Sequence, residues 1–102
     1  MYTTPEPWYD VCVEKQKSGQ IDEAIMMLRE LVEKFPDYAL AYAALGAYYT
    51  KKEQYEEAMA FCKKYCEKVP NDPFGYSVLS SLSIRAGRRQ DAEEALARSR
   101  TF

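Results

Sequence analysis

The chain has 102 residues, of which 47% are apolar and 29% charged, and its formal net charge is −2. That length makes one domain able to bury a core, and the slightly acidic balance argues against the basic stripe of a nucleic-acid binder. The longest apolar-leaning run, residues 39–49, falls far short of the ~20 residues that span a bilayer.

Residues 1–6 have neither a basic start nor an apolar stretch, so they do not read as a secretory signal, and a cytoplasmic location is expected. The first helix carries Trp8, Tyr9, Val11, Cys12 and Val13 on one broad stripe, and Gly19 is placed to end it in a left-handed conformation. Ala24, Ile25, Leu28, Leu31 and Val32 fall at i, i+1, i+4, i+7 and i+8, one face of a second helix. Pro36 stops it. Residues 39–52 predict a third helix, a short turn follows, and residues 55–68 predict a fourth that ends before Pro70. Asp72-Pro73 opens the fifth, a capping residue followed by proline at the first helical position. Gly87 breaks it, and the last helix runs from about Arg89 to near Thr101. No segment alternates with a period of two, so no strand is expected.

These elements repeat. Trp8, Tyr42 and Tyr76 are spaced by 34 residues, as are Ala24, Ala58 and Ala92, and Val11, Leu45 and Leu79. Glu23, Glu57 and Asp91 keep the step, and so do Pro36 and Pro70. A fixed period of this length marks a solenoid of stacked helix-turn-helix units. The three alanines let the second helix of each unit approach the first, around which Trp8, Tyr42 and Tyr76 fill space. Cys12, Gly46 and Ser80 are expected to allow the same approach from the first helix.

The phased set resembles the tetratricopeptide repeat family, with its pattern of aromatic-x-x-Leu-Gly-x-x-Tyr, Ala-x-x-x-Phe and Pro. Unit two matches through Tyr42, Leu45, Gly46, Tyr49, Ala58 and Pro70, with Cys62 where the pattern has Phe. Unit one has Cys12 and Lys15 for Gly and Tyr; unit three has Ser80 and Ser83. The resemblance implies an all-α fold, an alpha-alpha superhelix in one domain over residues 1–102, with repeats at about 5–38, 39–72 and 73–102. The similar pentatricopeptide repeats step by 35 and read RNA; the period and the acidic balance disfavour them.

No histidine is present. Cys62 and Cys66, i,i+4 on one helix face, lack the four ligands of a zinc site and read as small core residues; the odd count of three cysteines fits a reducing compartment. The paired acids Asp22-Glu23, Glu56-Glu57 and Glu93-Glu94 are read as favouring helix starts rather than as acid/base catalysts. No phosphate loop or nucleophile constellation is found, so no enzymatic activity and no cofactor are expected.

In this family the concave face, lined by the first helix of each repeat, holds a peptide or helix of a partner. The resemblance carries that groove onto Tyr9, Val13, Gln16 and Lys17, then Leu40, Ala43, Ala47, Thr50 and Lys51, then Phe74, Ser77, Ser81, Ile84 and Arg85. Some members grip a chaperone's terminal carboxylate; the matching positions here are Tyr9, Val13, Ala44, Phe74 and Val78, which offer no charged donor, so that activity is not expected. Lys17, Lys51 and Arg85, again 34 apart, form a column that either attracts an acidic segment or complements the helix dipoles. The expected function is an adaptor for an apolar or acidic segment of another protein. The alternative is a protomer that assembles weakly with itself through its ends. Its motive is a charge gradient of −3, −1 and +2 over residues 1–36, 37–72 and 73–102, with Leu96 and Phe102 uncovered on the last helix.

Overall fold

A computed structural model describes residues 3–100. They form six helices: α1 (Pro5–Lys17), α2 (Ile21–Lys34), α3 (Ala39–Lys51), α4 (Tyr55–Lys68), α5 (Pro73–Arg85) and α6 (Arg89–Ser99). The described residues contain no strand. Thr101 and Phe102, assigned above to the last helix and its apolar surface, lie outside the described residues.

Local chemistry sets the helix ends. Asp72 Oδ1 accepts the Phe74 N–H at 3.0 Å, and Pro73 follows it at the first position of α5. Asp22 and Glu23 occupy the first turn of α2, and Glu56 and Glu57 that of α4, where the free N–H groups favour negative charge. Unit three departs from this expectation. The first-turn acid of α6 is Asp91, while Glu93 and Glu94 sit a turn further on, and Glu93 pairs with Arg89 at 3.5 Å.

The three helix-to-helix turns are copies of one another. Gly19 N–H bonds Gln16 O and Gln20 N–H bonds Lys15 O; Gly87 and Arg88 repeat this onto Ile84 and Ser83, and Glu53 and Gln54 onto Thr50 and Tyr49. This double bond pattern requires a left-handed residue just past the helix. Gly19 (φ 88°) and Gly87 (φ 76°) supply it without strain, whereas Glu53 holds φ 58° with a side chain attached.

Each helix packs on its neighbours in the chain, giving hairpins α1–α2, α3–α4 and α5–α6 joined through α2–α3 and α4–α5. The result is elongated, 41 × 26 × 19 Å. Trp8, Tyr42 and Tyr76 are each 7% exposed, equivalent in depth as the period requires. Ala24 and Ala58 are fully buried and Ala92 nearly so. Rings add contacts: Tyr9 of α1 meets Tyr38, at the N-cap of α3, edge-on at 5.7 Å, and within unit two Tyr49 of α3 stacks on Phe61 of α4 at 5.6 Å. Ion pairs also cross the seams, Asp22 with Lys52, Glu56 with Arg88 at 2.9 Å, and Lys63 with Asp91 at 3.5 Å. Exposed pairs of this kind add little stability.

The closest glycine approach differs from expectation. A Cβ on Gly46 would lie 3.5 Å from Ala58 O, ordinary contact, whereas one on Gly75 would lie 3.0 Å from the Tyr65 ring and 3.3 Å from Cys66 Sγ. Gly46 does lie against the α4 backbone, and Gly75 makes the tighter approach, joining unit two to unit three. The stack has unlike ends. Glu6, Pro7, Asp10 and Glu14, in register with Phe74, Gly75, Val78 and Leu82 of α5, are not covered by another first helix: Glu6, Pro7, Asp10 and Glu14 are all exposed. At the other end Ile84 (67% exposed) and Leu96 (41%) border a hollow shared with Ser80 and Ala92. No described helix is long and apolar enough to cross a membrane.

Candidate partner-binding groove

The first helices present their residues unevenly. Ala43, Ala47 and Thr50 of α3 and Phe74 of α5 line one hollow of about 220 Å³ between units two and three. Its other walls were not foreseen: Gly46 from α3, Cys62 and Tyr65 from α4, and Gly75, Val78 and Leu82 from α5. The groove expected from the first helices alone therefore has a floor supplied by a second helix. Cys62 is 6% exposed and Phe74 73%, so the hollow runs from the core to an open aromatic rim. The replacement of the pattern's Phe by Cys62 was the sequence signal for this space.

The polar atoms of the hollow are engaged. Thr50 Oγ1 donates to Gly46 O at 2.7 Å, Cys62 Sγ to Gly75 O at 3.6 Å, and Tyr65 OH to Asp72 Oδ2 at 2.6 Å. Burial pushes the Cys62 thiol up to about 12, which leaves it a neutral, unreactive wall group. The bond to Asp72, followed by burial, pushes Tyr65 up to about 12 as well. Such a surface can take apolar matter; it holds no charge to compensate an ion.

The remaining expected groove residues do not line this hollow. Tyr9 is half-buried against Tyr38, so it serves the seam between units one and two. Val13 and Gln16 are also half-buried. Leu40 is 51% exposed, and Ser77 and Ser81 are exposed; none of these lines the hollow. Ile84 belongs to the C-terminal hollow. Of the carboxylate-gripping positions, Ala44 is buried. Lys17, Lys51 and Arg85 are exposed at the ends of α1, α3 and α5. Arg85 lies 5.6 Å from the Tyr55 ring, and none of the three meets a carboxylate among the described residues. Four of the six paired acids, by contrast, meet a base. Asp22 meets Lys52, Glu23 meets Lys15 at 3.2 Å, and Arg88 grips both oxygens of Glu56 and holds that carboxyl below its usual value.

Helical hairpins stacked at a fixed period, with an open lining of first helices, define a helical-repeat scaffold. The family model for the tetratricopeptide repeat matches residues 14–73, more than half of the chain, and the chain belongs to that family. No curated protein matches it by sequence. Among solved structures it is similar to one in a CopN-Scc3 complex (TM-score 0.86, 21% identity, 93% of this chain and 56% of that one). MamA is similar at TM-score 0.84 and 21% identity, over 95% of this chain and 53% of that one. So is the second such domain of Spaghetti (RPAP3), bound to the HSP90 peptide SRMEEVD, at TM-score 0.81 and 18% identity over 95% and 90%. The chain thus spans little more than half of the first two neighbours. Identities at this level speak to the fold.

Proposed function

We propose that this chain is a protein-interaction module that holds a segment of a partner protein on the face formed by α1, α3 and α5. The observation that carries the reading is the open apolar hollow between α3 and α5, ending in the 73% exposed ring of Phe74. Exposed aromatic surface beside a pocket is the usual anchor of an interface. A neighbour of the same fold, the Spaghetti domain, holds an HSP90 peptide; the gripping positions here carry other residues, so the ligand differs. Three buried free thiols suit a reducing compartment, and the cytoplasm is the proposed location. Affinity in the micromolar range or weaker is expected from so small an interface.

The test is selection from a displayed library of random dodecapeptides, followed by NMR mapping of the enriched peptides on labelled protein. Perturbations centred on α3 and α5 support the reading. No enrichment, or perturbations confined to the outward faces of α2, α4 and α6, overturns it.

Self-assembly through the ends is a second reading, favoured by the uncovered Ile84 and Leu96. The acidic face of α1 offers those residues no apolar counterpart, so head-to-tail stacking would rest on charge. Sedimentation at low and high salt decides: a monomer at about 100 μM in both removes this reading.

A further inference from the structure

The 34-residue register lets the two seams of the stack be compared position by position. At the seam of units one and two, the places of Ala43, Gly46, Ala47 and Cys62 are held by Tyr9, Cys12, Val13 and Leu28, and the place of Leu82 by Tyr48. With Thr50 in the place of Gln16 and Gly75 in that of Ala41, seven of the ten lining residues are smaller than their counterparts; Tyr65, Phe74 and Val78 are larger than Leu31, Leu40 and Ala44, but not by enough to make up the difference. Cys12 and Leu28 are fully buried, and Tyr48 is 7% exposed; the first seam is filled by its own side chains. The second seam keeps the same backbone design with less matter in it, which accounts for the 220 Å³ hollow. That volume lies below the ~300–1,000 Å³ of small-molecule sites. It corresponds to what the first seam supplies from within, the volume of a large side chain.

We infer that the hollow between α3 and α5 is an anchor subsite for a single bulky apolar side chain, aromatic or branched aliphatic, borne on an acidic segment of a partner protein. The inference rests on the groove reading above and names its ligand. The apolar requirement follows from the walls, whose polar atoms are all bonded internally. The acidic requirement follows from charge complementarity. Thr50 in the wall is followed directly by Lys51, and Leu82 lies one turn before Arg85. Among the described residues these cations, with Lys17, meet no carboxylate, as Arg29, Lys64 and Arg100 meet none, whereas Lys15, Lys52, Lys63, Lys68, Arg88 and Arg89 all do. A cation row without carboxylate partners, Arg85 resting over the Tyr55 ring, beside an apolar hole selects acids beside a large side chain, and selects against basic segments.

The test uses three fluorescein-labelled dodecapeptides: one of Glu, Asp and Ser with a single central Phe, the same with Ala for Phe, and the Phe peptide with Lys for each acid. Anisotropy titrations at low salt are expected to show the acidic Phe peptide binding at least ten-fold more tightly than either other. Ala47→Leu, at an exposed position, places a side chain into the hollow and is expected to remove the Phe-over-Ala preference. Thr50→Val keeps the wall's shape and is expected to retain it. Circular dichroism establishes that both variants fold. Equal binding of the Phe and Ala peptides, or a preference that survives Ala47→Leu, overturns the anchor subsite. If those peptides still bind with a salt dependence that Lys51→Glu abolishes, the groove reading survives that loss. If neither acidic peptide binds, the subsite is refuted, and the library selection judges the groove separately.

Discussion

Glu53→Gly should stabilise the protein. Glu53 stands where Gly19 and Gly87 stand in the other two units, with φ 58° against 88° and 76°, and its N–H makes the equivalent bond to Thr50 O at 2.9 Å. A left-handed L-residue costs roughly 1–2 kcal/mol relative to glycine. Ordering a glycine in place of another residue costs about 0.5–1 kcal/mol more. The Glu53 side chain is exposed and takes part in no ion pair among the described residues, so its removal forfeits little. The net gain is about 0.5–1 kcal/mol, which for a chain of this size raises Tm by roughly 2–8 °C. Differential scanning calorimetry measures it, with Glu53→Ala as the control for lost charge. Gly19→Ala and Gly87→Ala complete the series. A Cβ at either would meet nothing within 4 Å, so any loss there is conformational, and about 1 kcal/mol is expected. A Glu53→Gly protein no more stable than wild type, alongside destabilised Gly19→Ala and Gly87→Ala, would refute the equivalence of the three turns.

Gly75→Ala should cost about 1–3 kcal/mol by urea denaturation, because its Cβ would sit 3.0 Å from the Tyr65 ring; Gly46→Ala, with 3.5 Å of room in mid-helix, should be neutral or stabilising. Ala58→Leu, at a fully buried position, should cost a similar ~1–3 kcal/mol, and a wild-type melting curve would contradict the assigned helix approach. Ser83 Oγ is buried without a hydrogen-bond partner, so Ser83→Ala should leave stability unchanged or raise it by about 1 kcal/mol in the same assay. Burial raises Cys12 to about 11 and Cys62 to about 12, and the Asp72 bond with burial raises Tyr65 to about 12. The folded state retains these protons after the unfolded chain has begun to lose them. Stability should therefore be full below about pH 8.5 and fall steadily toward pH 12, as thermal melts across that range would register.

The helices were legible because each is punctuated by chemistry that acts locally: Gly19 and Gly87 past the helix ends, Pro36 and Pro70 in the linkers, Asp72-Pro73 at the start of α5. Their depth in the stack was legible too, since a period of 34 forces Trp8, Tyr42 and Tyr76 into the same surroundings. The hollow was not. Its existence depends on a deficit of volume, which arises from side chains of three helices together and from Gly75 drawing α5 onto Tyr65. Of the residues assigned from the first helices, Ala43, Ala47, Thr50 and Phe74 line the hollow, while Cys62 and Tyr65 beneath them carried no assignment. Tyr9, also assigned to the groove, meets Tyr38 edge-on. Contacts of that kind depend on which residue happens to face across, and periodicity carries no information about them.

The hollow straddles a seam, and that has a thermodynamic consequence. In a linear array the stability of each unit is its own folding energy plus its coupling to the next. The third unit is a terminal one, joined to unit two through the seam that contains the hollow and ending in the polar helix α6, eleven residues long. Whatever fills the hollow from outside adds directly to the coupling between units two and three. Occupancy and the folding of α5–α6 then become one equilibrium, in which a ligand suppresses fraying of the terminal unit by the same free energy that fraying subtracts from its affinity. Amide exchange in α5 and α6 would slow in proportion to occupancy while α1 and α2 stayed indifferent, so the array reports its cargo through the cohesion of one end.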